Sequence, residues 1–399
     1  MRLLLIVASG FLAAAPAWAG TGRLIVGFIP ESSLTERTDI LNRNGMTEVA
    51  DLGELSAKVV ELETPAGSSE SPMKLASFRL MSEPGVFHVE EDFYYKDWLR
   101  GVSFQASPLP DLPEVMGVLT KFEKKDATED EQPWGIQRVN AKGAWPRTEG
   151  AGVKVAVIDT GIDFNHPDLK ANYAGGYNAI DSQKPPMDDN SHGTHVAGTI
   201  AGVRDGKGVV GVAPKAKLYA VKVLDADGGG SLSSIIKGLV WTANNGMQVA
   251  NMSLGAPMGT VFMRLAVKYA RARGVVIMAA AGNEGGPVGY PAAYGDTIAI
   301  SASDSKDKIA EFSSRGKEVD FIAPGVDVKS SVPGGGYDRY SGTSMATPHM
   351  TGLAALAVAQ GATGFDGVMA SLKRASKKLP GLTANEQGNG LVDASLIKK

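Results

Sequence analysis

Continuous apolar runs dominate the second two-thirds of the chain. VKVAVID (153–159), LYAVKVL (218–224), QVANMSL (248–254), VVIMAAA (275–281) and TIAISAS (297–303) are rich in β-branched and small residues. Runs of this length with little polar alternation are what strands buried on both faces require. Between them lie segments with helical spacing, SLSSIIKGLVWTANNG (231–246) and MRLAVKYARARG (263–274), the second closing on a glycine. Strands alternating with helices predict an α/β fold over residues 131–399: a doubly wound, mostly parallel sheet flanked by helices.

The first third is patterned differently. GRLIVGFIP (22–30), 57–62 and 86–90 read as strands, and 34–44 has helical spacing that stops before Gly45. Together they predict a small α+β unit over residues 20–98, about 75 residues and near the lower limit for independent folding. Its end, VEEDFYYKDW (89–98), is acidic and then aromatic. Residues 99–130 contain the proline-rich SPLPDLP and the charged FEKKDATEDEQ, and read as an exposed, cleavable linker. Ahead of all this, MRLLLIVASGFLAAAPAWAG has a basic start, a short apolar run and a small-x-small pattern at Ala17-Trp18-Ala19. It reads as a signal peptide over residues 1–19 rather than a membrane anchor. The expectation is an exported protein with no membrane span once the leader is removed.

Charge changes the picture little. The chain of 399 residues has a net charge of −3, with 28 Lys and Arg against 25 Asp and Glu in residues 128–399. That balance argues against nucleic acid as a partner. The absence of cysteine removes disulfides, thiolate zinc sites and a thiol nucleophile. Added stability then has to come from packing or from a hard cation on oxygen ligands.

Candidate chemistry gathers where a parallel sheet places it, at strand carboxyl ends. Asp159 closes VKVAVID, where an aspartate serves either as a loop or cap residue or as a buried partner for a cation. NSHGTHVAG (190–198) puts His192 at a loop-to-helix junction and His195 one turn further on; the HExxH zinc pattern is missing. In SGTSMATPHM (341–350), Ser344 opens an apolar helix, as an N-cap or as a nucleophile favoured by free N–H groups and the helix dipole. Pro348 suits a first helical turn. His349 lies about 140° round the helix from Ser344 and over a turn along, so a base for Ser344 must come from elsewhere. Asn283, in AAAGNEGG (279–286), is either a turn residue or an amide donor for an oxyanion.

VAVIDTGID, NSHGTHVAGTIAG and YSGTSMATPHMTG resemble the three signature blocks of subtilisin-like serine proteases, in the order Asp, His, Ser. NMSLG (251–255), AAAGNEG and GNGLVDA (388–394) are similar to further segments of that family, so the resemblance spans residues 131–399. An esterase with the GxSxG pattern would show the order Ser, Asp, His. The resemblance implies a secreted serine endopeptidase in which Ser344 attacks a peptide carbonyl. His192 would act as base and then acid, Asp159 would orient the imidazole, and Asn283 with the Ser344 N–H would hold the oxyanion. Gly228, Gly229 and Gly230 with Ser253, Leu254 and Gly255 would flank an extended protein or peptide substrate. Gly289 would form the base of a pocket for large apolar groups, with Glu284 at a rim tolerant of Lys or Arg. The resemblance also implies a structural Ca²⁺ on Asp130, Asp168 and Asp205 and the carbonyls of Val203, Lys207 and Val209. A second set comprises Asp320 with the carbonyls of Ala292, Tyr294 and Thr297. The N-terminal unit resembles the family's inhibitory propeptide, which makes the chain an autoprocessed zymogen, monomeric, with its cut near Trp98 or further along the linker.

Overall fold

The computed structural model describes residues 18–62, 71–105 and 130–398. Residues 1–17 of the expected leader and 106–129 of the expected linker lie outside the described residues.

The N-terminal unit is built from β1 (Trp18–Phe28), β2 (Met46–Leu52), β3 (Ala57–Leu62) and β4 (Val86–Tyr95), with helices Leu34–Arg43 and Ser71–Met81. The strands pair antiparallel in the order β2-β3-β1-β4. Helix Leu34–Arg43 starts on a capping box between Ser33 and Glu36 and ends at Asn44. Gly45 follows at φ +66°, the left-handed position a glycine takes without a Cβ penalty. Alternation along β1 divides its side chains between two cores. Leu24, Val26 and Phe28 pack under the unit's own helices with Ile40, Leu41 and Leu80. Ile25, on the opposite face, packs with Ile235, Ile236 and Phe262 of the larger domain.

In that domain β6 (Lys154–Asp159), β7 (Tyr173–Asn178), β8 (Lys217–Lys222), β10 (Val249–Met252), β11 (Val276–Ala280), β12 (Ile298–Ser303) and β13 (Val319–Pro324) form a seven-stranded sheet. Its order is β13-β12-β11-β10-β6-β8-β7, and every pairing is parallel. Val155 and Val157 of β6 pack on one face with Val196, Ile200 and Leu353, from helices His192–Ala201 and Thr343–Ala359. Ala156 and Ile158 pack on the other with Ile235, Leu239 and Val267, from helices Leu232–Asn244 and Val261–Ala272. This is the doubly wound arrangement expected from the unbroken apolar runs. Three short strands complete the part that matters for the site: β5 (Ser103–Gln105), β9 (Gly230–Ser231) and the hairpin of β14 (Val328–Val332) and β15 (Gly336–Ser341).

Five of the longer strands escape the apolar pattern: β2 with its Thr, Glu and Asp, the glycine-rich β7, β13 with Asp320 and Pro324, and both strands of the polar β14–β15 hairpin. No single helix among the described residues is long and apolar enough to cross a membrane.

Candidate active site

Strand order brings the carboxyl ends of β6, β10 and β11 side by side. Asp159 is the last residue of β6, Ser253 follows β10, and Asn283 lies three residues beyond β11. Asp159 is fully buried and accepts from the Thr160 N–H at 2.7 Å. The same oxygen lies 2.7 Å from Nδ1 of the equally buried His192. The ring's other nitrogen, Nε2, is buried and has no hydrogen-bond partner among the described residues. A second carboxylate, which the sequence reading passed over, fixes this corner. Asp188 accepts from the Thr160 hydroxyl at 2.8 Å, the Thr194 N–H at 2.9 Å and the Ser191 N–H at 3.0 Å. It thereby caps the helix that carries His192, a favourable place for negative charge. Ser191, immediately before His192, sits at φ +121°, and its hydroxyl accepts from Tyr340. A non-glycine residue so placed stores local strain.

Ser344 occupies the first turn of helix Thr343–Ala359. Pro348 lies deeper in that helix than its composition suggests, at the sixth residue. Lacking an N–H, it leaves the Ser344 carbonyl without its intrahelical donor. The Ser253 hydroxyl supplies the missing bond at 2.7 Å, and Asn251 and Thr351 extend the chain behind it. The Ser344 hydroxyl donates to the Ser253 carbonyl at 3.0 Å rather than to His192. His349 is buried and bonds through Nδ1 to the Met345 carbonyl, and burial pushes its pKa down to about 4. His195 is buried between the Val328 and Asp338 carbonyls and the Tyr340 ring, with its pKa pushed down to about 3 by burial. Both are neutral packing residues.

Asn283 is oriented by Thr343, whose N–H and hydroxyl donate to Oδ1 at 2.8 and 2.9 Å. That turns Nδ2 toward the cleft, where it donates to the carbonyl of Arg100 at 2.9 Å. The residues expected to flank a substrate thus flank the protein's own chain. β4 adds to β9, pairing Tyr95 with Gly230 and Tyr94 with Ser231. The Trp98 indole donates to the Gly230 carbonyl, and the Trp98 carbonyl accepts from Gly255, both at 2.9 Å. Gly228 and Gly229 admit this chain closely: a Cβ on them would stand 2.9 Å from Leu99 and 2.0 Å from the Tyr94 hydroxyl. Leu254, Ala280, Val288 and Gly289 line an apolar pocket beside Ser344, with Arg100 and Glu284 at its opening. Residues 99–105, expected to begin the linker, therefore lie in the cleft.

The loop 203–209 meets two of the expected cation ligands. Asp130 accepts from the N–H groups of Asp205, Gly206 and Lys207 at 3.0, 2.8 and 3.1 Å. Asp168 is buried and, among the described residues, its carboxylate accepts from neutral groups, the Val209 N–H and the Tyr337 and Ser331 hydroxyls, and desolvation raises its pKa. Of the second set, the carbonyls of Ala292 and Tyr294 converge on the Thr297 hydroxyl, while Asp320 accepts from Ala299 N–H. Among the described residues there is no group of three or more His, Cys, Asp or Glu side chains placed to hold a metal.

The family model described as the subtilase family matches residues 150–390. An alkaline protease of Alkalihalobacillus alcalophilus is 40% identical over 402 residues, 98% of this chain and 95% of that protein. Subtilisin Savinase of Lederbergia lenta is 49% identical over 266 residues, 66% of this chain and 97% of its own length. Subtilisin E of Bacillus subtilis (strain 168) is 52% identical over 231 residues, 56% of this chain and 60% of its own length.

Proposed function

This chain belongs to the subtilase family and is a serine endopeptidase acting on protein substrates; we propose that Ser344 is its nucleophile, His192 its base and Asp159 the residue that orients and balances the imidazole. The observation that carries the assignment is the buried Asp159–His192 bond of 2.7 Å, with His192 opening a helix that packs against the helix Ser344 opens. Nδ1 bonded to a carboxylate leaves Nε2 to take the serine proton. Asn283 Nδ2 and the Ser344 N–H would then stabilise the tetrahedral oxyanion, aided by the positive end of the helix. Engaging His192 requires the Ser344 hydroxyl to leave the Ser253 carbonyl. Digestion of casein, blocked by a serine-reactive inhibitor and absent in Ser344→Ala, tests the assignment; retained activity in that variant would contradict it.

The apolar pocket of Leu254, Ala280, Val288 and Gly289 supports a broad preference for large apolar residues before the cut, and Glu284 at its opening adds tolerance for basic ones. Backbone pairing along Gly228–Gly230 and Ser253–Gly255 supplies affinity that is indifferent to sequence.

In the same reading the N-terminal unit is an inhibitory propeptide. Two carboxylates dock it on helix N-termini. Asp92 accepts from the N–H and hydroxyl of Ser233, both at 2.8 Å. Glu90 accepts from the N–H groups of Val261 and Phe262 at 3.0 and 3.2 Å. Each places negative charge where a helix dipole favours it. The leader pattern of residues 1–19 supports export of the precursor. Asp130, Asp168 and Asp205 with the carbonyls of Val203, Lys207 and Val209 would hold Ca²⁺ only once the loop turns its carbonyls inward, because its N–H groups now bond Asp130 and Asp168; the burial of Asp168 among neutral donors supports a cation there. Chelation by EDTA should lower the melting temperature by several degrees, as loss of a native-state ligand does; an unchanged value would remove calcium from this account.

A further inference from the structure

The sequence alone left the processing cut anywhere from Trp98 through the linker. Given the protease and propeptide reading above, we propose that the bond this enzyme cuts in its own precursor is Arg100–Gly101. The segment around it is held on both sides of Ser344. Upstream, β4 pairs with β9 and Trp98 is locked to Gly230 and Gly255. Downstream, β5 adds antiparallel to β15, pairing Ser103 with Ser341 and Phe104 with Tyr340. Between these anchors the chain turns: the Val102 N–H donates to the Leu99 carbonyl, with Gly101 at φ +72°. A turn with a positive φ at its third residue directs the central carbonyl outward. Here that carbonyl belongs to Arg100, and it is the one that accepts from Asn283.

The residues around the bond are selected for different reasons. Gly101 is required twice over: its φ disfavours any side chain, and a Cβ would stand 2.6 Å from that of Asn283. Arg100 holds its guanidinium 3.9 Å from Glu284 at the pocket opening, where both side chains are largely solvated. Such a pair contributes little affinity, so the backbone anchors set the position of the cut and Glu284 sets which charge is tolerated there.

The step balances within the chain. Ser344 Oγ gives its proton to His192 Nε2 and bonds to the Arg100 carbonyl carbon. The bond from that carbon to the Gly101 nitrogen breaks, and the nitrogen takes the proton from His192 to become a new amino terminus. Water then hydrolyses the ester, leaving Arg100 as a carboxylate and restoring the serine hydroxyl.

The test is a time course of the full-length precursor, followed by intact mass and N-terminal sequencing, with casein hydrolysis measured in parallel. The expected products are a fragment ending at Arg100 and a chain beginning at Gly101, which later cuts can shorten. Casein hydrolysis with the first cut at any other bond would overturn this proposal and leave the protease reading standing. No cut and no hydrolysis would overturn both. Arg100→Glu places like charges together and should slow the first cut about tenfold, with Glu284→Arg restoring it. Arg100→Ala should change it less than about threefold. Gly101→Val should suppress the cut at this bond. Unchanged kinetics in both Arg100→Glu and Gly101→Val would also overturn the proposal.

Discussion

Asp159 and His192 meet each other, fully buried and 2.7 Å apart. Ser344, in the first turn of its helix, and Asn283, beyond the end of β11, meet other things: the serine hydroxyl turns to the Ser253 carbonyl and the Asn283 amide to the Arg100 carbonyl. The first pair draws its support from within the large domain, through Thr160 and the cap that Asp188 makes. The second pair faces a cleft that the chain itself fills. The difference locates the block. The proposed acid–base pair is already assembled, whereas the Ser344 hydroxyl is held by Ser253 and the Asn283 amide by Arg100. Removing residues 98–101 would free the Asn283 amide without rebuilding the first pair.

The largest effect should come from the nucleophile. Ser344→Ala should lower peptide hydrolysis at least about 10⁴-fold and accumulate uncut precursor, read on a gel and by a chromogenic peptide assay. Asn283→Ala should spare the Asp159–His192 bond yet lower kcat by roughly 10²–10³, the loss seen when one such donor is removed from a subtilisin; an equal rise in KM would instead make it a binding residue.

A third prediction extends the comparison into the helix behind Ser344. Burial holds His349 near a pKa of about 4 against an ordinary value of 6.5. The unfolded chain therefore binds the proton first as pH falls. Stability from the neutral ring is complete above about pH 6.5 and is lost progressively down to about pH 4, on the order of 3 kcal/mol in all. Denaturant unfolding of the inactive Ser344→Ala protein should show this slope, and His349→Asn should reduce it while buried His195 keeps its own share; an unchanged slope would mean that the His349 ring is not held neutral.

The smallest effect concerns the docked unit. Burial raises the pKa of Asp92, so the docked unit holds a proton more tightly than the free one. Docking should then weaken as pH rises from about 4 through the raised value. Asp92→Asn should remove that dependence in a release assay on the cut complex; the opposite sign would mean that the Ser233 donors and the helix dipole outweigh desolvation.

The parts legible in the sequence are those dictated locally. Unbroken apolar runs announced β6, β8, β10, β11 and β12 because a strand buried on both faces has no polar face to show. Asp159, His192, Ser344 and Asn283 could be singled out because each follows a strand or opens a helix, where chemistry gathers in a parallel sheet. What could not be read depends on distant partners. β7 and β13 are strands because a neighbour pairs with them, not because of their own glycine or proline content. Pro348 is accommodated beyond the first turn because Ser253, on another element, bonds the carbonyl it frees. Asp188 stands in no recognisable pattern of its own; its task appears only when Thr160 and Thr194 are brought to it. An inhibitory tail ending in VEEDFYYKDW was legible by resemblance, but the residue that reaches Asn283 was not, because the register comes from β9, Gly255 and Asn283.

The most direct test of the central claim is to label the processed enzyme with a fluorophosphonate and map the modified peptide by mass. The account predicts one label per molecule, on Ser344, lost in His192→Ala and absent from the uncut precursor. A label on another residue, or equal labelling of Ser344 when His192 is removed, would contradict it.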